Sequence, residues 1–82
     1  MNTIFANNVR RILHKKIKGY SNCWIRNDTL IADIQPLGIY TYHFTIPIIS
    51  SHISQGLTSE QVAKDIIKNY RDYILSEHFY FK

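Results

Sequence analysis

Acidic residues are absent from the first 27 positions of this chain, and residue types that mark special chemistry or compartments are scarce. The 82 residues include one cysteine, two prolines and three glycines. The single cysteine, Cys23, cannot form an internal disulfide, and the charged N-terminus lacks the apolar stretch of a secretory signal. No run approaches the ~18–20 apolar residues of a membrane-spanning helix. These absences predict a cytoplasmic protein without a membrane partner.

Motifs for catalysis and for metal or cofactor binding are also missing. The sequence has no C-x-x-C, no H-x-x-x-H and no G-x-x-x-x-G-K-[ST] phosphate loop. Strand alternation should turn Cys23 inward and His43 outward, which separates the best candidates for nucleophile and base. His14 lies among cations, but no residue in the sequence pairs with it. We therefore expect no enzyme activity, no cofactor, and no catalytic or metal-binding residues.

The composition indicates one small globular domain that spans residues 1–82. Hydrophobic residues make up 45% and aromatic residues 13% of the chain, which is too apolar for a disordered protein. A chain of this length buries only roughly 60–65% of its unfolded surface, so its core is small.

Basic residues concentrate at the N-terminal end. Residues 1–27 carry six Lys and Arg and sum to +6, whereas residues 28–82 carry four basic and six acidic residues and sum to −2. The six are Arg10, Arg11, Lys15, Lys16, Lys18 and Arg26. This segregation favours a negatively charged partner.

An amphipathic helix is predicted from Asn2 to Lys18, with Asn2 or Thr3 as its cap and Gly19 as its end. Its apolar arc consists of Phe5, Val9, Ile12, Leu13 and Ile17. Its basic arc consists of Arg10, Arg11, His14, Lys15 and Lys18. The basic arc is the predicted binding site for nucleic acid or an acidic partner, because cations on one continuous surface suit phosphate neutralisation. The alternative is a solvated face that only maintains solubility.

Alternating apolar residues predict three antiparallel strands between Ser21 and Ile46. Asn27-Asp28 has the composition of a two-residue hairpin turn. This turn pairs Ile25 with Leu30, Cys23 with Ala32, Trp24 with Ile31 and Arg26 with Thr29.

The second turn is predicted at Pro36-Leu37-Gly38. It sets Tyr40, Tyr42 and Phe44 beside Ile34, Ala32 and Leu30, respectively. A two-residue turn would place Thr41 and His43 there and move the rings to the other face, so we reject it. We expect the rings to pack in the core rather than stack on bases.

Two further helices are predicted after the strands. Pro47 should open a short one, with Ile48, Ile49, His52 and Ile53 at helical spacing and Gly56 as its end. In the long one, Thr58 and Gln61 form a capping box, and an apolar arc continues to about Ser76. The apolar tail His78-Phe79-Tyr80-Phe81 should pack on its own domain or on a partner.

These elements predict an α+β fold, a two-layer sandwich in the order helix, three-stranded antiparallel meander, short helix, long helix. Both long helices should cover one sheet face. That inner face consists of Cys23, Ile25, Leu30, Ala32, Ile34, Tyr40, Tyr42 and Phe44. The outer face consists of Trp24, Arg26, Ile31, Asp33, Ile39, Thr41 and His43.

The outer face holds a predicted protein-binding patch made of Trp24, Arg26, Ile31 and His43. An exposed Trp beside an apolar residue and an Arg is typical of interface hot spots. Alternatively, the C-terminal tail or a second copy of the chain, as a homodimer, covers Trp24. The patch is expected on the side of the sheet opposite the basic helix, so that the two sites are separate.

The order of elements resembles the double-stranded RNA-binding domain over nearly the whole chain. That family begins its last helix with lysines that hold phosphates, whereas this chain has Thr58-Ser59-Glu60-Gln61 there. The main phosphate contact of the family is therefore missing, and the assignment is not carried over. The small size and missing catalytic residues also resemble phage accessory proteins, including anti-CRISPR proteins. Many such inhibitors are acidic mimics of nucleic acid, a pattern from which the basic N-terminal segment departs.

The leading hypothesis is a non-catalytic binding protein whose basic helix holds nucleic acid, or a nucleoprotein complex, electrostatically and with low sequence specificity. The alternative is a protein-binding inhibitor or adaptor of phage or mobile-element type, similar to anti-CRISPR proteins, that uses the Trp24 patch.

Overall fold

The computed structural model describes the backbone of residues 2–35 and 41–80 and the side chains of residues 3–35 and 41–73. The elements in chain order are α1 (Asn2–Lys16), β1 (Tyr20–Arg26), β2 (Thr29–Gln35), β3 (Tyr42–Ile46), α2 (Ile49–Ser54) and α3 (Ser59–Tyr80). The three strands form one antiparallel sheet in the order β1-β2-β3. This arrangement confirms the predicted α+β fold and its order of elements.

Helix α1 forms because its apolar residues recur at helical spacing and face the core. Val9 and Leu13 are fully buried, and Phe5 and Ile12 are half-buried beside them. The helix begins at Asn2 and ends at Lys16. Gly19 has a φ of 98°, a conformation that suits glycine and lets the chain turn into β1.

The hairpin between β1 and β2 has the predicted register. Asn27 and Asp28 both have positive φ values, 51° and 57°, as the type I′ turn of a two-residue hairpin requires. The four predicted pairs, Cys23 with Ala32, Trp24 with Ile31, Ile25 with Leu30 and Arg26 with Thr29, are all present.

The register predicted for β3 is wrong by two residues. Tyr42 lies opposite Ile34, and Ile46 lies opposite Leu30. The apolar pattern of this strand repeats every two residues, so registers two residues apart keep the same residues on the inner face. The rings of Tyr42 and Phe44 therefore stay on that face, as predicted. The predicted turn Pro36-Leu37-Gly38 and the residues Ile39 and Tyr40 lie outside the described residues.

The short helix α2 begins differently from the prediction. Pro47 does not open it, because Ile48 follows in a left-handed conformation with φ 46° and ψ 49° and α2 starts at Ile49. Ile48 is also 61% exposed rather than part of the apolar side. The first turn of α2 is held by Asp28, whose carbonyl accepts from the Ile49 N–H at 2.9 Å.

The predicted capping box of α3 is present in both directions. The Thr58 N–H donates to Gln61 Oε1 at 3.0 Å, and the Gln61 N–H donates to Thr58 Oγ1 at 3.2 Å. The helix continues to Tyr80, beyond the predicted end near Ser76. The side chains of the tail His78-Phe79-Tyr80-Phe81 lie outside the described residues.

The core lies between the inner sheet face and the helices. Its fully buried members are Leu13 and Val9 of α1, Leu30, Ala32 and Ile34 of β2, Ile49 of α2, and Val62, Ala63 and Ile66 of α3. The ring of Tyr42 contacts those of Tyr70 and Tyr73, with centroids 6.2 Å and 5.2 Å apart. Both long helices thus cover one face of the sheet. Within the described part of the chain, no helix is long and apolar enough to cross a membrane.

Candidate functional site

Strand β1 is an edge strand, and side chains occupy part of its open edge. In an antiparallel pair, the backbone N–H and C=O groups of alternate residues point toward and away from the partner strand. The N–H and C=O groups of Ser21, Cys23 and Ile25 point away from β2, toward the open edge. His14 of α1 donates from Nε2 to the Ser21 carbonyl at 2.9 Å. The Cys23 N–H donates to Oδ1 of Asn22, also at 2.9 Å. These contacts satisfy two of the groups through which a foreign strand would pair.

A cleft opens between α1 and the start of β1, and we call it the basic cleft. Its volume is about 720 Å³. It is lined by Asn7, Arg10, Arg11 and His14 from α1 and by Gly19, Tyr20, Ser21 and Asn22 from β1 and the segment before it. No carboxylate of the described residues lines this cleft, so its electrostatic character is basic.

Arg10 is the best-positioned cation of the basic cleft. It is half-buried, and its Nη2 donates to Oδ1 of Asn7 at 2.9 Å, one turn earlier in α1. A guanidinium that is already held in place loses less conformational entropy when it binds an anion. Asn7 therefore acts as a positioning residue for Arg10.

A second cleft, which we call the hairpin cleft, continues from the first toward the β1–β2 turn. Its volume is about 470 Å³. It is lined by Thr3, Ala6, Asn7, Arg10, Asn22, Cys23, Trp24, Ile25, Asn27 and Asp28. Asn7, Arg10 and Asn22 line both clefts, so the two form one groove along the edge of β1.

As expected, α1 covers the inner face of the sheet and Trp24 lies on the outer face. The two predicted sites nevertheless meet at the edge of the sheet and are not fully separate. Helix α1 packs along β1, which is the edge of the sheet, rather than over the middle of the sheet. Its polar side consequently reaches the edge where the outer sheet face begins. Trp24 and Arg10 line the same hairpin cleft as a result.

The structure brings together three of the five predicted phosphate-binding residues. Arg10, Arg11 and His14 line the basic cleft, whereas Lys15 and Lys18 are exposed on the adjoining surface without lining it. The one ion pair among the described side chains joins Asp33 and His43. No described carboxylate therefore lies within 4.0 Å of the charged groups of Arg10, Arg11, Lys15 or Lys18. The positive charge of the basic cleft is thus not neutralised by a nearby carboxylate, whereas Asp28 lines the adjoining hairpin cleft.

The predicted protein-binding patch is only partly assembled. Trp24 lies opposite Ile31 on the outer face, and Arg26 is exposed one position further along that face. His43, predicted near Trp24, instead lies opposite Asp33 and donates from Nδ1 to its carboxylate at 2.5 Å. The two-residue shift in the β3 register moves His43 away from Trp24.

Cys23 is poorly suited to nucleophilic chemistry. Its side chain is 2% exposed, and desolvation raises the pKa of the thiol to about 12 even though the charge of Arg10 lowers it. The thiol therefore stays protonated at neutral pH. Among the described residues, His, Cys, Asp and Glu side chains form no group of three that could hold a metal ion.

Sequence reasoning missed Asn7, Tyr20 and Asn22 as parts of the groove. Tyr20 is 55% exposed and belongs to β1, which begins one residue before the predicted start at Ser21. Strand alternation places Tyr20, Asn22 and Trp24 on the same outer face. That spacing was the available signal, but the position of α1 beside the strand was not visible in it.

Comparison with protein-family models, with curated proteins and with solved structures finds no significant match to this chain.

Proposed function

We propose that this protein binds nucleic acid, alone or within a nucleoprotein complex, through electrostatic contact between phosphates and the basic cleft. The observation that supports this most strongly is the convergence of Arg10, Arg11 and His14 on one cleft with no described carboxylate in its lining. Phosphate neutralisation needs cations on one continuous surface. Lys15 and Lys18 extend that surface beyond the cleft.

The proposed role of each cation follows from its position. Arg10, held by Asn7, offers a pre-oriented guanidinium that can donate two parallel hydrogen bonds to one phosphate. Arg11, Lys15 and Lys18 are exposed and supply charge that follows the backbone of the ligand. His14 donates from Nε2 to the β1 edge, so it can also donate from Nδ1 to a phosphate only when the ring is protonated.

Low sequence specificity follows from how the amides of the groove are used. Asparagine reads adenine through a bidentate contact that needs both its amide oxygen and its amide nitrogen. The oxygen of Asn7 already accepts from Arg10, and the oxygen of Asn22 already accepts from the Cys23 N–H. Two of the three asparagines that line the groove are therefore already engaged, which leaves Asn27 at the far end of the hairpin cleft. We further propose stoichiometric binding without turnover, in the cytoplasm, where the lone cysteine would stay reduced.

Charge reversal on α1, compared with charge reversal on α3, tests this function. The double variant Arg11→Glu with Lys15→Glu changes two exposed residues at the cleft, and Lys64→Glu with Lys68→Glu changes two exposed residues of α3 by the same total charge. We expect the first variant to lose roughly tenfold or more in affinity for a labelled random oligonucleotide at low salt. The second should lose far less. Equal losses would show that only the net charge matters and would contradict a site at the basic cleft.

A protein-binding inhibitor or adaptor is the second candidate function. Trp24 and Ile31 lie side by side on the outer face, both half-buried, and this pairing is the observation that favours it. Binding energy at such patches concentrates in a few aromatic and Arg residues. If this function is correct, the α1 double reversal should leave partner affinity largely intact, and Trp24→Ala should abolish it without changing the melting temperature.

A further inference from the structure

The outer face of β1 alternates aromatic and polar side chains along the groove. Tyr20, Asn22, Trp24 and Arg26 share that face, because successive residues of a strand point to opposite sides. Tyr20 lines the basic cleft and Trp24 lines the hairpin cleft. At about 3.3 Å per residue, the two rings are anchored roughly 13 Å apart along the strand.

From this alternation we propose that the groove takes single-stranded nucleic acid, with bases stacked on Tyr20 and Trp24 and phosphates held by the cations of α1. This inference rests on the proposed function and deepens it by naming the substrate class. Aromatic rings beside a positively charged groove are the combination with which proteins hold unpaired strands without sequence preference. Arg10 lines both clefts, so its guanidinium belongs to the same groove as Tyr20 and Trp24.

A duplex fits this geometry less well than a single strand. In a duplex the base faces are stacked on each other, so protein rings cannot reach them without base flipping. A helix that reads duplex DNA enters the major groove with a protruding surface. Here the basic side of α1 forms one wall of a cleft, with β1 as the other wall. A cleft with two walls suits a single strand better than it suits the convex surface of a duplex.

An extended peptide that adds to the edge of β1 is the competing occupant. Strand addition depends on free backbone groups at the edge. The Ser21 carbonyl is already bonded to His14, and the Cys23 N–H is already bonded to Asn22. A peptide would have to displace the Asn22 amide from the Cys23 N–H and share the Ser21 carbonyl with His14, whereas stacked bases and phosphates would leave both bonds in place. The observations therefore favour nucleic acid.

Intrinsic fluorescence provides a direct test, because Trp24 is the only tryptophan in the chain. The full chain is titrated at low salt with oligothymidylate of about ten nucleotides, its RNA counterpart and a mixed-sequence duplex of the same length. We expect both single strands to change the Trp24 emission and to bind at least roughly tenfold more tightly than the duplex. Tyr20→Ala should weaken single-strand binding by roughly fivefold to a hundredfold, whereas Tyr20→Phe should retain it because the ring remains. Thermal melting of each variant verifies folding.

The outcomes separate this inference from the function on which it rests. Salt-dependent binding with equal affinity for duplex and single strand, or with no effect of Tyr20→Ala, would overturn the single-strand proposal while leaving phosphate binding standing. Absence of binding to every oligonucleotide would overturn the proposed function itself. A change in Trp24 emission with poly-glutamate but with no oligonucleotide would overturn both in favour of an acidic peptide.

Discussion

At the scale of single residues, burial of the Cys23 thiol makes the stability of the protein depend on pH. Desolvation raises its pKa from an ordinary value of 9.0 to about 12. Between these values the unfolded chain has lost the proton and the folded chain keeps it, so stability falls as pH rises. Below about pH 9 both states hold the proton and this contribution is constant.

We therefore predict that the free energy of unfolding declines between about pH 9 and 12, by at most about 1.4 kcal/mol per pH unit from this group. Urea denaturation at a series of pH values measures it. Cys23→Ala is the control and should show a shallower decline, although Tyr42 and Tyr70, whose pKa values desolvation also raises, still contribute. Identical slopes for the two proteins would contradict the assignment to Cys23.

The backbone conformation of Ile48 leads to a prediction about stability. A β-branched residue with φ 46° is strained by roughly 1–2 kcal/mol, and Ile48 is 61% exposed, so little packing compensates. We predict that Ile48→Gly stabilises the protein by up to about 1 kcal/mol after the entropic cost of glycine. Chemical denaturation provides the measurement.

The same substitution elsewhere serves as the control for Ile48. Ile4 is 65% exposed and lies within α1, where glycine costs about 1 kcal/mol. Ile4→Gly should therefore destabilise the protein while Ile48→Gly stabilises it. Destabilisation of similar size by both variants would show that Ile48 is not strained.

At the scale of elements, the hairpin turn between β1 and β2 also caps a helix. The Asp28 carboxylate accepts from the Ser50 N–H at 3.1 Å and from Ser50 Oγ at 2.7 Å. Ile48, the residue before α2, provides no side-chain cap of its own. Asp28 thus supplies from a distant turn the acceptor that an N-cap residue normally supplies locally.

Asp28→Gly separates these two roles of the turn. Asn-Gly is the most favoured sequence for a type I′ turn, so the hairpin itself should not suffer. Loss of the capping carboxylate should still destabilise the protein by about 1–2 kcal/mol in urea denaturation. Asn27→Gly, which keeps the carboxylate, should change stability by less than about 0.5 kcal/mol. If Asp28→Gly is as stable as the wild type, the capping role is refuted.

The elements also show how far the sequence determines the fold. The first hairpin was predictable because the two central residues both tolerate positive φ and fix the register of their strands. The register of β3 was not predictable, because Tyr42, Phe44 and Ile46 point to the inner face in both of two registers that differ by two residues. The capping of α2 by Asp28 was not visible either, since the two lie 22 residues apart in the chain.

At the scale of the whole molecule, the position of α1 decides which surface the basic residues of the N-terminal segment face. The helical wheel identifies which residues of α1 are basic and exposed. It does not say what they face, because that depends on packing between α1 and the sheet. The structure places α1 along the edge strand, so Arg10 faces a groove that it shares with Trp24. The sequence identifies the cations that line the groove but does not show that they lie beside the aromatic side chains.

The central claim is that the cations of this groove bind phosphates, and the salt dependence of affinity tests it most directly. The measurement is the slope of log affinity against log salt for a labelled single-stranded oligonucleotide, with wild type and Arg10→Ala compared. With two to four phosphate contacts, we predict a wild-type slope of roughly −1.4 to −2.8, and a slope smaller in magnitude by about 0.7 for Arg10→Ala. A slope near zero, or the same slope for both proteins, would contradict phosphate binding at this groove.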